Sequence, residues 1–404
     1  MDSDVFLMTS SYYPPYHVGG DAVHVKYLSE ELVKLGHEVH VMFSLDGYRY
    51  KSPDFKKSLK EKEESNGVFL YPLTSPLGKS DLYLTYLFGK SSYVKKRFGE
   101  LFGKIKPDVV HHHNIFFLGY DILKKQGNYI NLYTAHDYWL ICQRSDLMKY
   151  GRSLCRQKNC FSCALLSKRL PQIWRDSGDF RDAIEDIDTI IAPSNFMKQI
   201  LSDRLPVKAN IVNIPNFVPP PPAKIKGSGY SDYFLYAGVL ERHKGICSLL
   251  RAFKKYRNRI DAKLIIVGKG TLKDKINEYI SKNKLENKVI LLGWVSDEML
   301  WALYKDALAL VVPSIWPENC PLVALEAISV GTPVVGSDQG GIPEILEKVD
   351  HKLAFRAGDL EDIRRVLVEY DKIRHPVEKV KGIYEKWYLL EGYLSKYIKL
   401  VGVR

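Results

Sequence analysis

Two acidic residues in the last quarter of the chain, Glu318 and Glu326, occupy a segment that is suited to anion binding. The segment reads WPENCPLVALEA, in which Glu318 follows a predicted strand and Pro321 suits the first turn of the next helix. The free N–H groups at the start of that helix, at about residues 320–323, would bind a diphosphate. Glu326 lies in an apolar run, where a ribose diol would satisfy a carboxylate that is costly to bury. The alternative is structural, with Glu326 in a salt bridge to a neighbouring helix and Glu318 at the surface.

Two alternating series of strands and helices must position these residues. The first series begins with a strand at residues 4–9, a loop rich in Pro and Gly, a helix at residues 21–35 that Gly36 closes, and a strand at 38–43. Its later strands are predicted at residues 68–71, 109–112, 130–134, 189–192 and 210–214. The second series has predicted strands at residues 233–236, 263–267, 289–291, 309–312 and 333–336. Apolar strands that alternate with helices predict an α/β protein with parallel sheets covered on both faces.

A proline-rich stretch, PNFVPPPPAKIKGSG at residues 215–229, separates the two series because it can join neither a sheet nor a helix interior. We therefore predict an N-terminal domain at residues 1–216, a linker at 217–229 and a C-terminal domain at 230–385. A single helix predicted at residues 380–400 would carry residues 386–404 back to the N-terminal domain. Ligands of doubly wound sheets bind beyond the carboxyl ends of the strands, so a cleft between the domains is the expected site.

The composition is that of a globular protein with a positive net charge. Hydrophobic residues make up 46% and aromatic residues 12%, which argues against wholesale disorder. No apolar run approaches the ~18–20 residues that span a bilayer, and the N-terminus carries acids where a signal peptide would be basic. These features predict a cytoplasmic protein. The net charge of +12 calls for an anionic partner; no nucleic-acid motif accompanies it, so an anionic membrane is the better prediction.

Two basic stretches contribute to this charge, KKSLKEK at residues 56–62 and KKRFGELFGKIK at residues 95–106. The simpler interpretation of each is a solvated helix face. The alternative is a peripheral membrane anchor, because four apolar residues fall at helical spacing beside the second set of lysines: Phe98, Leu101, Phe102 and Ile105.

The motifs together resemble one known family. The spacing E-x7-E between Glu318 and Glu326, followed by GTPVVGSDQGGIPEIL, is similar to the retaining nucleotide-sugar glycosyltransferases of family 4, the group 1 glycosyl transferases, which have the GT-B fold. Five more blocks fall in family order: YPPYHVGG, TAHDYW, IAPSNFMK, GVLERHKG and VGKG. The resemblance covers nearly the whole chain. It implies two Rossmann-like domains and transfer of a hexose from a nucleotide diphosphate-sugar to a glycan or lipid-linked acceptor.

The resemblance implies roles for the matching residues of the C-terminal domain. Glu318 would contact hydroxyls of the donor sugar, Glu326 the ribose, and Lys244 the diphosphate, which it would neutralise as a point charge. Where the family often has Gly-Arg-Leu this chain has Gly-Val-Leu, so the second phosphate cation is missing from its place. Arg242 or His243 is then the candidate substitute.

Other implied contacts to the donor lie in both domains. Gly19 and Gly20 would let backbone N–H groups approach the phosphate or sugar closely. His136 would meet the donor sugar near the reacting centre, although a lone histidine after a strand is more often structural. The remaining implied donor contacts are Asn319, Cys320, Pro321, Leu322 and Val295.

Two sets of residues raise the question of metal binding. In the run HHHN at residues 111–114, strand alternation lets at most two histidines converge, so we favour a strand end with one histidine near the acceptor over a metal site. A C-x4-C-x2-C run with a fourth cysteine upstream has spacing compatible with structural zinc. Buried free thiols are the alternative, and a disulfide is disfavoured in a reducing cytosol. The four residues are Cys142, Cys155, Cys160 and Cys163.

The implied mechanism is transfer with retention of anomeric configuration and without a catalytic metal. Charge on the departing diphosphate would be taken by Lys244, the helix amides and Arg242, while the leaving phosphate accepts the proton of the attacking hydroxyl. A nicotinamide-dependent oxidoreductase is disfavoured because YYPPYHVGG, not G-x-G-x-x-G, follows the first strand. A low-activity or non-enzymatic sugar- or lipid-binding relative stays open as the second function.

Overall fold

The computed structural model describes residues 3–55 and 59–402, and these residues form two compact units. The first unit comprises the described residues up to Ile214 together with those from Leu394 onward, and the second runs from Pro215 to Tyr393. Each unit has its own parallel sheet with helices around it. Within the described ranges, no helix combines the length and the apolar character needed to cross a membrane.

The first unit is built on ten strands: β1 (Val5–Ser10), β2 (Glu38–Ser44), β3 (Glu63–Ser65), β4 (Val68–Leu73), β5 (Val109–His112), β6 (Ile130–Thr134), β7 (Met148–Lys149), β8 (Ser153–Leu154), β9 (Thr189–Ala192) and β10 (Ile211–Asn213). Eight of them form one sheet in the order β10-β9-β6-β5-β1-β2-β4-β3, which is parallel except for the β3–β4 pair. β7 and β8 form a separate antiparallel hairpin. The inner strands β5, β6 and β9 are buried almost throughout, as expected for a sheet covered on both faces.

Seven helices of the first unit precede the second unit along the chain: α1 (Gly20–Lys34), α2 (Leu45–Lys51), α3 (Lys79–Phe88), α4 (Ser92–Ile105), α5 (Cys160–Leu166), α6 (Gly178–Glu185) and α7 (Asn195–Arg204). A serine side chain accepts a backbone N–H at the start of α2, α4, α6 and α7, which satisfies one of the amides that a helix start leaves open. α1 begins without such a cap after Gly19. Its buried stripe of Val25, Leu28 and Leu32 agrees with the predicted apolar face.

The second unit has six parallel strands: β11 (Tyr233–Ala237), β12 (Lys263–Val267), β13 (Val289–Gly293), β14 (Ala309–Val312), β15 (Val334–Ser337) and β16 (Ala354–Phe355). Their order in the sheet is β13-β12-β11-β14-β15-β16, so the strand order reverses beside β11. The helices are α8 (Ile246–Lys255), α9 (Lys273–Lys282), α10 (Asp297–Asp306), α11 (Leu322–Ser329), α12 (Ile342–Val349), α13 (Leu360–Val368), α14 (Tyr370–Ile373) and α15 (Val377–Trp387). One contiguous apolar core joins this sheet to its helices.

The end of the chain forms two helices, α15 and α16 (Leu390–Val401), so the single helix predicted at residues 380–400 is wrong. The break falls at Tyr388, whose ring is buried in the core of the second unit. Its carbonyl oxygen accepts the N–H of Val218 instead of continuing the helix. The break therefore coincides with tertiary contacts of Tyr388, which the pattern of residues does not show.

Candidate active site

The loop after β11 carries Lys244 to the carboxyl edge of the second sheet. It ends in a 3₁₀ turn, Arg242–Lys244, followed by Gly245 with a φ of 75°. A Cβ at Gly245 would collide with the carbonyl oxygen of Pro313, which follows β14. Only glycine therefore allows the loops after β11 and β14 to approach backbone to backbone.

The loop after β14 is held from two sides, and this fixes Glu318. The N–H groups of Ile315 and Trp316 both donate to the carbonyl oxygen of His243, at 2.9 and 3.3 Å. On the other side, the N–H of Gly341 donates to the carbonyl oxygen of Glu318 at 2.6 Å. Backbone contacts to two neighbouring loops therefore determine where the Glu318 side chain starts.

The Glu318 carboxylate is buried in a polar cluster. Its Oε1 accepts hydrogen bonds from Lys244 Nζ at 2.8 Å and from Ser314 Oγ at 2.6 Å. The Lys244 ammonium also lies 4.8 Å from the centre of the Trp316 ring, a position that favours a cation. Burial by itself would raise the pKa of Glu318, but the Lys244 charge and the hydrogen bonds outweigh it and hold the pKa below its usual range. The cluster therefore contains an ionised carboxylate beside a fixed cation.

Glu326 lies in a different environment, within α11. Its Oε2 accepts a hydrogen bond from the Tyr304 hydroxyl at 2.8 Å, and no cation of the described residues forms an ion pair with it. Burial raises the pKa of Glu326, and the Tyr304 hydrogen bond offsets this only in part. The two glutamates thus share no partner, since Glu318 contacts Lys244 and Glu326 contacts a tyrosine.

The segment between the two glutamates forms the start of α11. Pro321 is the N-cap residue with extended backbone, one position earlier than the predicted first turn. Asn319 and Cys320 are buried, and the Cys320 carbonyl oxygen accepts a hydrogen bond from Asn216 Nδ2 at 3.0 Å. Burial raises the pKa of the Cys320 thiol to about 12. This cysteine is therefore a neutral packing residue, and Leu322, half-buried, is the first residue of the helix.

The predicted residues of the first unit lie beyond its strands β1 and β6. Gly19 has a φ of 100° and precedes α1, of which Gly20 is the first residue. His136, two residues after β6, is hydrogen-bonded through Nε2 to Nδ1 of His113 at 3.0 Å. Burial lowers the pKa of His136 to about 4, although the charge of Asp21 opposes that shift. The ring is therefore neutral at neutral pH.

Two family models match the chain one after the other. The model described as Glycosyltransferase Family 4 matches residues 18–220, and the model described as Glycosyl transferases group 1 matches residues 223–371. The chain is a family 4 glycosyltransferase. An uncharacterized glycosyltransferase of Methanocaldococcus jannaschii is 29% identical to it, over 83% of this chain and 80% of the relative.

A named relative and a solved structure extend the comparison. The lipopolysaccharide 1,2-N-acetylglucosaminetransferase of Salmonella typhimurium is 30% identical over 54% of this chain and 63% of its own length. The structure of sucrose-phosphate synthase from Thermosynechococcus elongatus has a TM-score of 0.74 at 19% identity, covering 99% of this chain and 98% of that one. The fold of this glycosyltransferase is GT-B, as the motifs predicted.

In this glycosyltransferase a valine occupies the position where the family often has the second phosphate-binding cation. Val239, the valine of Gly-Val-Leu, is 40% exposed, and its carbonyl oxygen accepts the Tyr236 hydroxyl at 2.9 Å. Arg242 is exposed in the same turn as Lys244. Val295 is half-buried in the loop after β13. The role of Arg242 as a substitute cation and that of Val295 as a donor contact stay predictions.

The histidine run follows strand alternation. His111 and His113 have ring centres 4.0 Å apart, whereas His112 is hydrogen-bonded to Thr9 Oγ1 at 2.8 Å. The imidazoles of His24, His113 and His136 converge instead, with one ligand atom of each within 4.8 Å of the others. Sequence reasoning missed His24, because its convergence depends on how α1 packs. By spacing alone these three neutral rings could bind a metal ion.

The alternative interpretation of α4, a membrane anchor, is wrong. Phe98 and Leu101 are buried in the first unit, and Phe102 packs between Phe98 and Tyr129. The apolar stripe therefore faces the core and the lysines form the solvated face, which was the simpler interpretation. In the other basic stretch, residues 56–58 lie outside the described residues, and residues 59–62 form no helix.

Proposed function

We propose that this glycosyltransferase moves a hexose from a nucleotide diphosphate-sugar to a glycan or lipid-linked acceptor, with retention of configuration. The observation that carries the proposal is the Lys244–Glu318 ion pair at 2.8 Å, fixed at the carboxyl edge of a doubly wound sheet and next to the start of α11. Ligands of such sheets bind at this edge. A fixed ammonium beside a helix start is a suitable environment for a leaving diphosphate.

The two parts of this site would have different tasks. Lys244 would stabilise the negative charge that develops on the diphosphate, and it is held ready because Glu318 and Trp316 fix its ammonium. Lys244 and Ser314 both donate to Oε1 of Glu318, and the Trp316 side chain donates to the same carboxylate. A carboxylate has about four acceptor positions, so its remaining capacity suits a sugar hydroxyl. The leaving phosphate would then accept the proton of an acceptor hydroxyl that attacks from the same face.

The test is donor turnover with a panel of UDP-, GDP- and ADP-sugars, with product anomers read by NMR. For the preferred donor we expect Lys244→Met to lower kcat by roughly 100-fold or more, as loss of a fixed transition-state cation does. Lys275→Met is the matched control, because Lys275 is an exposed lysine on α9 of the same unit, and it should leave kcat unchanged.

Three outcomes would contradict the proposal. Donor binding without hydrolysis or transfer would favour the non-enzymatic sugar-binding alternative. An inverted product anomer would exclude retention. Full activity of Lys244→Met would show that the ion pair has no part in the mechanism.

We further propose that the acceptor is reached at an anionic membrane surface, through the first unit. α3 and residues 161–173 adjoin each other, since the Tyr86 hydroxyl donates to the Leu170 carbonyl oxygen at 2.9 Å and Trp174 Nε1 donates to the Tyr86 carbonyl oxygen at 3.1 Å. We call their exposed apolar side chains the apolar surface: Tyr83, Leu84, Phe88, Phe161, Leu165, Leu166, Leu170 and Ile173.

Charge and exposure both favour a lipid partner for the apolar surface. Leu166 is 69% and Ile173 75% exposed, which is unusual for large aliphatic side chains in one small region. Four exposed cations occur in or beside the same segment: Arg156, Lys158, Lys168 and Arg169. Apolar side chains flanked by cations are typical of surfaces that bind anionic bilayers.

Vesicle co-sedimentation tests this surface. We expect binding to vesicles of phosphatidylcholine with phosphatidylglycerol, and little binding to phosphatidylcholine alone. The double variant Leu166→Glu, Ile173→Glu should weaken binding more than tenfold, because each buried aliphatic side chain contributes about 1.5 kcal/mol or more. Trp294→Glu, at a residue 66% exposed in the second unit, is the control that should bind normally. Equal binding of all three proteins to anionic vesicles would contradict the proposal.

A further inference from the structure

The four cysteines of residues 142–163 line one small cavity in the first unit. Cys155 directly follows β8, Cys160 begins α5, and Cys163 lies one turn further along that helix. Cys142 reaches the same cavity from the segment before the hairpin. The space inside is about 20 Å³, which is enough for roughly one water-sized guest. Four thiols from three parts of the chain thus surround room for a single atom.

Backbone amides point at two of the sulfurs. The N–H groups of Arg144 and Leu147 donate to the Cys142 sulfur, and the N–H of Tyr150 donates to Cys163 Sγ at 3.2 Å. Hydrogen bonds of this kind orient the sulfur ligands of a metal ion. Leu147 and Tyr150 have positive φ values of 53° and 56°, a conformation that non-glycine residues adopt at a cost. The loop therefore adopts an unfavourable backbone conformation in which its N–H groups point at the sulfur atoms.

The part of this segment that follows Met148 has little core of its own, since only Ala164 is buried among residues 149–170. Of the seven residues of α5, only Ala164 is buried, and each strand of the β7–β8 hairpin has two residues. Elements this short bury too little apolar surface to hold each other in place, and small units of this kind usually need a covalent or metal staple. The chain provides no disulfide among these cysteines.

We propose that Cys142, Cys155, Cys160 and Cys163 bind one zinc ion, which fastens the hairpin to α5. Thiolates are preferred zinc ligands, and four of them make a closed structural site. An iron–sulfur cluster also takes four cysteines, and metal analysis distinguishes it from zinc. Each thiol releases its proton to solvent as it binds the metal.

Zinc binding contracts the cavity. Among the described residues, no three of these sulfurs lie mutually within 4.8 Å, whereas four thiolates on one zinc stand about 3.8 Å apart at a Zn–S distance of about 2.3 Å. The ion therefore draws β8 and the first turn of α5 together. This predicts that residues 142–166 exchange backbone hydrogens more slowly with zinc than without it.

Metal analysis tests the proposal on the full chain, purified under reducing, oxygen-free conditions with zinc supplied. We expect one zinc per chain in the wild type, and none in the double variant Cys160→Ser, Cys163→Ser. Cys247→Ser is the matched control, because Cys247 lies in α8 of the other unit, and it should keep its zinc. Absence of zinc from the wild type, or iron with labile sulfide in its place, would overturn the proposal.

Cobalt substitution keeps the test decisive if the double variant does not fold. Cobalt in the wild type should give intense thiolate-to-metal absorption in the near ultraviolet, which a site of three histidines lacks. A cobalt spectrum without sulfur bands would place the metal at His24, His113 and His136 and would overturn the cysteine site. Chelation should also speed hydrogen exchange at residues 142–166 at least several-fold, and unchanged exchange there would contradict the stapling role.

Discussion

At the scale of single residues, Glu318 and Glu326 differ in what surrounds them. Lys244 and Ser314 compensate the buried Glu318 carboxylate, so its pKa lies below the usual range. Glu326 has a neutral partner, Tyr304, and burial raises its pKa. The cost of burying the Glu326 charge is therefore offset only in part at neutral pH, and a ligand with two hydroxyls would relieve the rest.

Replacing the Glu326 carboxylate with an amide should change stability and nucleotide binding in opposite directions. Because the folded-state pKa of Glu326 is raised above its unfolded value, the wild type loses stability as pH rises from about 4.5 through the raised pKa. Glu326→Gln removes that loss, so its melting temperature relative to wild type should rise over this window and then level off. Thermal unfolding between pH 4 and 8 measures the difference.

The same variant should bind nucleotide more weakly. Loss of charged hydrogen bonds to a diol should lower the affinity by roughly ten- to a hundredfold, as calorimetric titration would show. Glu286→Gln, at an exposed glutamate, serves as the control for both measurements. A variant that is more stable and binds nucleotide normally would leave Glu326 without a ligand role.

At the scale of elements, glycines set the distance between the loops that form the site. Gly340 has a φ of 64°, and a Cβ there would collide with the carbonyl oxygen of Glu318. The two residues also form an isolated parallel bridge between the loops after β14 and β15. The position of Glu318 thus depends on a residue that itself has no side chain.

Gly340→Ala should therefore damage activity and stability together. We expect unfolding free energy to fall by about 1–2 kcal/mol from the left-handed backbone alone, and more if the collision moves Glu318. Donor turnover should fall at least tenfold. Gly382→Ala is the control, because this glycine lies within α15 with open space around it. Alanine at this position should increase the unfolding free energy by at most about 1 kcal/mol. Normal turnover of Gly340→Ala would show that the loop tolerates the shift.

How much could be predicted from sequence depended on whether a feature is local. Five strands have the bounds that the apolar runs predicted: β5, β6, β9, β12 and β14. The stripe on α4 was visible too, but periodicity cannot say whether an apolar face meets a core or a membrane, and burial of Phe98 decided it. Ser314 and Tyr304, which contact the two glutamates, had no sequence signal because serine and tyrosine are common in every setting.

At the scale of the whole molecule, the last helix completes the first unit although it follows the second in sequence. Tyr397 of α16 is fully buried, and its hydroxyl is 2.9 Å from Nδ1 of His111 on β5. His111 Nε2 is in turn hydrogen-bonded to Thr134 of β6 at 2.8 Å. The chain end is thereby joined to the centre of the sheet.

Tyr397→Phe should test this connection. Leaving the buried His111 nitrogen without its partner should cost about 1–3 kcal/mol of unfolding free energy, measured by chemical denaturation. Hydrogen exchange should accelerate in β5 and β6 of the first unit and stay unchanged in β11 and β14. Tyr83→Phe, at a residue 57% exposed on α3, is the surface control. Destabilisation confined to the second unit would contradict this role.

The sequence by itself determined the fold class, the family and the segments that carry chemistry, because strand patterning and the motifs around Glu318 and Glu326 are local in the chain. Tertiary structure alone decided which groups touch. The contact of Lys244 with Glu318 spans 74 positions and that of Tyr397 with His111 spans 286. Such contacts depend on how strands are ordered in the sheets and on how closely glycines let loops approach, and neither is encoded in any short run of residues.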